Sequence, residues 1–538
     1  MAVFVPLPGS QRTLLPNSRP TGPVDPSGTA SVTVRVRSAG KIQDLEERVR
    51  KESLKPLKDR TYLTYDQLQQ QHGAAKKDLD AVEKFAQQHN LVVVHRKAAE
   101  RSVVLKGKLR DLLNAFPADV RLYDHSTGPY RGRKGEINIP QELSPIITGV
   151  FGLDTRPKRR FFHRQLAAAA NGPGGQNGVA PTVFAGRYNY PASYQGQALD
   201  GSGQTIAIIE LGGGFQTSDL QVYFNEISRP LPAVSAISID HAGHDPSTPS
   251  SPDDEVMLDI EVAGSVAPNA KIAVYFAPNQ GDKGFLDAIN AAIHDAERKP
   301  GVLSISWGSP ERYMDQQSLT AYHELFVEAS ALGVTVCAAS GDHGTADFDA
   351  QHWDGKINVN HPPSDPYVLG CGGTQIDGDG NDVAWNDGTA FDISVDGGGG
   401  WATGGGISEA YPTPDYQKNA GIPVSIDNGK PGRGVPDIAM SATDYFTRVD
   451  TLEGAAGGTS AVAPLMAALV ALLNQAKQKN IGFLNPFLYT NANNGVVHDV
   501  TQGNNAIKDT VKGYDAGPGW DACTGLGTPD GTAILNSL

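Results

Sequence analysis

Gly457-Gly458-Thr459-Ser460-Ala461-Val462-Ala463-Pro464 places a serine after two glycines and directly before the apolar run Leu465 to Leu473. A run of that length reads as a buried helix, which puts Ser460 at a helix N-terminus. There its hydroxyl stands beside N–H groups with no partner inside the helix, a setting suited to a nucleophile that must support an oxyanion. The two glycines let a second backbone approach closely. Taken alone, Ser460 reads as an ordinary N-cap, a position where serine is common.

Upstream, residues 181–538 alternate short apolar runs with helix-like segments. Gln204 to Leu211, Lys271 to Phe276, Val302 to Trp307, Val334 to Ala339 and Tyr367 to Cys371 are rich in β-branched residues and read as strands. Helical patterns fall near 217–227, 253–265, 284–297 and 316–331. Such alternation predicts an α/β fold, a doubly wound parallel sheet covered on both faces, with reactive groups beyond the carboxyl ends of its strands.

The first third of the chain differs in charge. Residues 1–180 carry 29 Lys and Arg against 17 Asp and Glu, whereas residues 181–538 carry 16 against 42. A front with a balance of +12 and a body with one of -26 are expected to dock, the front gripping the body near neutral pH. Basic residues in the front are interspersed with acids, which argues against a nucleic-acid partner. Residues 1–30, rich in Pro, Gly and Ser, read as disordered. Residues 31–155 carry a β-α-β-β-α-β pattern, with strands at Ser31 to Arg37, Leu91 to His95, Ser102 to Lys106 and Val120 to Tyr123, and helices at Leu79 to His89 and Leu109 to Phe116. That order is ferredoxin-like. Residues 156–180 run from a basic cluster into Ala167 to Gly175, the composition of a cleavable linker. Cys337, Cys371 and Cys523 are too few and too scattered for a disulfide framework or a zinc site. No standard signal peptide opens the sequence, and no segment reaches eighteen uninterrupted apolar residues, so no membrane partner is expected.

Three further motifs bear on Ser460. In the segment 253–265, Glu255 and Asp259 stand four residues apart and share one helix face, with Ser251, Pro252 and Asp254 marking the start. Two close carboxyls split their apparent pKa values, so one can take a proton while the other orients it. Gly341-Asp342-His343-Gly344 follows a buried strand, and a protonated Asp342 could donate to an oxyanion. Ser304-Ile305-Ser306-Trp307-Gly308 ends a strand, where Gly308 would let a peptide add as an extended strand with Ser306 beside it and Trp307 as a pocket wall. In isolation these read respectively as a solvated helix face, a turn aspartate and a core tryptophan.

Together, Ile206 to Gly214, Glu255 to Gly264, Ser304 to Gly308, Gly341-Asp342 and the Ser460 motif resemble the sedolisin family of serine-carboxyl peptidases. The resemblance implies a subtilisin-like peptidase domain over 181–538 and an inhibitory, chaperone-like propeptide over 31–155. It implies Ser460 as nucleophile, Glu255 as base, Asp259 as its orienter and Asp342 as the oxyanion acid. The family usually has serine where this chain has His343. Glu261 and Asp254 lie outside the family motif and read as structural. The resemblance also implies one structural calcium ion, held by the carboxylates of Asp499 and Asp521 and the carbonyls of Val500, Gly517 and Gly519. The expected protein is a secreted, monomeric, autoprocessing endopeptidase that acts in acid on proteins and peptides. Two alternatives are a neutral subtilisin-like protease, which would need His241 or His244 as its base, and a calcium-stabilised binding module without turnover.

Overall fold

The computed structural model describes residues 3–15, 17–125, 128–156, 160–161, 164–166, 178–246, 251–346, 356–388, 400–507 and 512–538. Its centre is an eight-stranded sheet in the order Ala233–Ser238, Lys271–Phe276, Thr205–Glu210, Val302–Ile305, Thr335–Ala339, Leu369–Ile376. Ile438–Ser441 and the antiparallel Asp382–Ala384 both pair with the last of these. All other neighbours are parallel. Thr205–Glu210 is buried at every position, as a strand covered on both faces requires. Ile206 and Ile208 pack with the helices Ser251–Val266 and Thr459–Lys477, and Ala207 and Ile209 with the helices Gly281–Ile293 and Gln316–Leu332. All five expected strands are present. Ala233–Ser238 and Ile438–Ser441 are additions, the first too exposed and the second too short to stand out as periodic runs.

The front unit has a four-stranded antiparallel sheet in the order Val92–Lys97, Ser102–Lys108, Thr29–Val36, Ile147–Phe151. That is the ferredoxin-like order, with one correction. The fourth strand is Ile147–Phe151, not Val120 to Tyr123. Asp119–Asp124, largely exposed, pairs instead with Arg19–Pro23 and Tyr130–Lys134 in a separate sheet. Residues 1–30 also depart from expectation: Phe4–Pro6 pairs with Asn138–Pro140, and Leu7 and Leu15 are buried. Composition reports what a segment could bury alone, and here the partners come from over 100 residues away.

Thr29–Val36 explains how the two units meet. Val32, Val34 and Val36 fill the front unit's own core. The alternate residues, which a free strand would give to water, face the body: Thr33 donates to Asp287 at 2.6 Å and Arg35 reaches Glu324 at 3.4 Å. Arg101 lies between Glu324 (2.8 Å) and Glu328 (2.6 Å), with its side chain 1% exposed. Arg12 pairs with Asp282 and Asp315, and Arg133 with Asp315 at 2.9 Å. Asp315 is also the N-cap of Gln316–Leu332, accepting from the Ser318 N–H. Front arginines inserted among body carboxylates make the expected charge complementarity concrete.

These pairs have a definite pH behaviour. Although burial opposes it, the charges of Arg101 and Arg35 hold the Glu324 carboxyl below its ordinary value. A depressed carboxyl stabilises docking above its free value of about 4.3 and loses that contribution as pH falls through the docked value. The affinity of the separated front unit for the body is therefore expected to hold from pH 7 to about pH 5 and to fall below about pH 4.5. Arg101→Met, which takes the arginine from Glu328 and leaves Glu324 only its longer contact with Arg35, should weaken it at pH 7 by about a hundredfold or more. Equal affinity at pH 7 and pH 4, measured by calorimetry, would contradict this.

Candidate active site

The N-cap of Thr459–Lys477 is Gly458, at φ +132, a conformation that side chains other than glycine rarely adopt. Ser460 is thus the second helical residue and not the cap. Pro464, four residues on, has no N–H to give the Ser460 carbonyl. That carbonyl accepts from the Ser306 hydroxyl instead (3.3 Å), and the Ser460 hydroxyl lies 3.3 Å from the Ser306 carbonyl. The helix start is fastened to the end of the neighbouring strand, Val302–Ile305.

Glu255 and Asp259 are fully buried on the helix face turned to this point. The Ser306 hydroxyl reaches both oxygens of Asp259 at 2.9 Å. Burial pushes the Glu255 carboxyl up, while the hydroxyls of Ser460 and Ser306 favour its ionised form. Asp259 is raised by burial and then by the charge of Glu255. Behind them stands a third buried carboxyl that the sequence reading passed over as a functional group, Glu210, at the end of its strand. It is raised by burial and by the charges of Asp259 and Glu255, and it accepts from the Trp307 indole at 2.9 Å. Three carboxyls this close cannot all ionise, so they share protons and titrate as a set.

Asp342 follows Thr335–Ala339 through Ser340 and Gly341, the latter at φ +114. Its Oδ1 accepts from both the N–H and the hydroxyl of Thr459, each at 2.8 Å. The Thr459 hydroxyl also accepts from the Gly341 N–H at 3.0 Å. Asp342 is therefore joined to the residue before Ser460, and Thr459 is a second member of the site missed from sequence. His343 does not displace Asp342. Its ring is packed against Trp401 with centroids 4.7 Å apart.

Two pieces of the linker flank Ser460. Arg160–Phe161 runs antiparallel to Trp307–Pro310, with Arg160 opposite Gly308 and Phe161 opposite Trp307. Arg164–Leu166 runs antiparallel to Leu452–Gly457, with Arg164 opposite Gly457. Gly308 thus pairs with a strand of the chain's own linker. With the linker paired to it, Trp307 is 2% exposed, and it directs its indole N–H to Glu210, so it supports the carboxyl set. Ser306 likewise supports, through Asp259. The remainder of the expected linker, including Ala167 to Gly175, lies outside the described residues.

The two C-terminal turns come together. Asp499 accepts from the Gly519 N–H at 2.7 Å, and Asp521 accepts from Gly517, Cys523 and Thr524 at 2.8–3.2 Å. Thr524 reaches the Val500 carbonyl at 3.5 Å. Burial pushes the Asp521 carboxyl up to about 6. Two carboxylates amid turn carbonyls offer the hard oxygens calcium prefers, and a cation there would offset the cost of burying charge on Asp521. Among the described residues no group of three or more His, Cys, Asp or Glu could hold a metal ion, so a calcium ion here would rest on two carboxylates with backbone carbonyls and water.

Residues 16–156 match the family described as "Pro-kumamolisin, activation domain", and residues 242–512 match the "Subtilase family". The chain is 42% identical to kumamolisin from Bacillus sp. (strain MN-32), over 99% of this chain and 96% of that one. The chain belongs to the sedolisin family of serine-carboxyl peptidases. It is a serine-type peptidase with a propeptide domain. A tripeptidyl-peptidase, sed5 of Aspergillus fumigatus, is 28% identical over 99% of this chain and 97% of its own. The solved structure of Pseudomonas sedolisin in complex with pseudo-iodotyrostatin is 29% identical, with a TM-score of 0.57 over 67% of this chain and 97% of that chain.

Raised carboxyl values have a sign for stability. A carboxyl whose folded pKa lies above its unfolded value of about 4.3 costs stability progressively as pH rises from that value upward. Glu210→Gln keeps the shape and removes one such group. Its melting temperature relative to wild type is expected to rise by at least about 2 °C between pH 4 and pH 7. A difference independent of pH, read by calorimetry, would contradict the raised value.

Proposed function

We propose that this peptidase is an acid-acting endopeptidase that frees itself by cutting its own linker. The observation that carries this reading is the pair of linker strands on either side of Ser460, with the Glu255 and Asp259 face turned to the same point. An extended chain that enters along Gly308 and leaves along Gly457 favours cleavage within chains over trimming from one end. The Ser460 hydroxyl attacks the peptide carbonyl, and Glu255 takes its proton. Asp259, held by Ser306, orients Glu255 and shares the proton load with Glu210. Asp342, when protonated, donates to the oxyanion beside the helix N-terminus, and the amine leaves with the proton returned from Glu255. Water then releases the acyl group from Ser460 by the same steps in reverse.

The linker that fills the cleft, together with the buried arginine contacts, makes the propeptide an intramolecular inhibitor. The neutral, histidine-based alternative finds no support in His244, whose Nε2 is engaged with the Phe215 backbone at 2.9–3.1 Å. The binding-module alternative leaves a complete nucleophile, base and oxyanion set unexplained. We propose a secreted monomer acting on proteins and peptides. Among the described residues, Thr459–Lys477 alone is long and apolar enough to cross a membrane, and its most apolar window is 89% buried in the core.

A drop from pH 7 to pH 4 should cut the precursor in one of the three bonds between Phe161 and Arg164, leaving a new N-terminus at residue 162, 163 or 164. Mass spectrometry reads it. Ser460→Ala should not process, and Glu255→Gln should be slowed about a thousandfold or more. Wild-type precursor that stays intact and folded would sink the reading. Asp499, Val500, Gly517, Gly519 and Asp521 are proposed to hold one structural calcium ion, which supplies stability and no step of the reaction. Chelation should lower the melting temperature of the processed enzyme, and added calcium should restore it. Asp521→Ala should make the protein indifferent to both.

A further inference from the structure

One buried carboxyl takes no part in the mechanism above. Glu261 lies on the Ser251–Val266 helix, two residues beyond Asp259 and so turned to a different face. It is fully buried, and burial pushes its carboxyl well up. Such a group is costly to keep unless it is hydrogen-bonded. Its two oxygens each lie 3.2 Å from one donor, the backbone N–H of Arg448. The Arg448 side chain turns elsewhere, its Nε to Asp219 at 3.2 Å and its Nη1 to Glu453 at 2.7 Å.

Arg448 belongs to the hairpin Tyr445–Val449 and Leu452–Gly457, and its location gives this contact a role. The inner strand is held by Glu261, by Asp219 (which also accepts from Thr451 N–H at 3.0 Å) and by Tyr223 stacked on Phe446 with centroids 5.2 Å apart. The outer strand pairs with Arg164–Leu166 and runs straight through Gly457 and Gly458 into Thr459 and Ser460. The helix that carries the base therefore also fixes the hairpin whose outer strand leads to the nucleophile.

We infer that Glu261 is a positioning residue for the leaving side of the substrate, holding the hairpin edge at Ala455–Gly457 where the peptide beyond the cut bond pairs. This rests on the peptidase reading, in which Arg164–Leu166 stands for that part of a substrate. An ionised or a protonated carboxyl both present an acceptor to the Arg448 N–H, so the hold persists across the pH range of precursor and processed enzyme. A glutamine does the same, and an alanine does not.

The test uses the acid-processed enzyme and two peptides identical before the cut, one ending a single residue after it and one extending three residues further. Glu261→Ala is expected to lower the ratio of kcat/KM on the long peptide to that on the short one by about tenfold, through KM, because only the long peptide pairs along the hairpin. Glu261→Gln should restore the ratio. Glu261→Leu, which keeps the buried volume but gives the Arg448 N–H no acceptor, should lower it too and serves if the alanine variant does not fold. Equal losses on both peptides, or a glutamine variant as impaired as the alanine one, would overturn the assignment. Wild-type enzyme that cleaves neither peptide would overturn the peptidase reading and this inference with it.

Discussion

The structure depends on hiding several carboxyls from water in one place. Glu210, at the carboxyl end of one strand, meets Glu255 and Asp259 on one helix, and none can be charged freely there. In a histidine-based serine peptidase the buried acid is single and stays ionised beside an imidazolium. Here the acids hold protons for one another, and the groups that tune them are short hydroxyls and one indole. Ser306 supports Asp259, Trp307 supports Glu210, and Ser460 itself favours the ionised form of Glu255. A shared proton is kept more easily in acid, which is the ground of the acid-acting proposal.

The same constraint organises the backbone around it. Gly458 admits the tight entry to the Ser460 helix, and Pro464 leaves the Ser460 carbonyl for Ser306. Thr459 joins that entry to Asp342 from the far side. Ser460 is thus fixed from the strands on both sides. The front unit adds a second use of buried charge: its arginines enter among body carboxylates and hold the two units together.

Much of this was legible in the sequence. The parallel sheet declared itself because strands such as Ile206 to Ile209 are apolar at every position, and the Glu255 and Asp259 pair because four residues make one helix face. Other features depended on distant partners. Residues 1–30 look unfit to fold because their partners, Asn138–Pro140 and Asp119–Asp124, lie more than 90 residues on. Ile147–Phe151 outcompeted Val120 to Tyr123 for the fourth place in the sheet because it could be buried there. Glu210 and Trp307 were quoted within motifs, yet nothing in either segment says that the two side chains meet. Thr459 was hidden by its neighbour, since one hydroxyl beside a nucleophile carries no signal of its own.

The most direct test of a shared-proton carboxyl base is the pH dependence of kcat/KM of the processed enzyme on a peptide with no ionisable groups. The account predicts a profile with its maximum in acid and a steady loss toward neutrality, as the carboxyl set gives up the protons it shares. Activity that is flat between pH 7 and pH 9 would place the base on a group of another kind and contradict it.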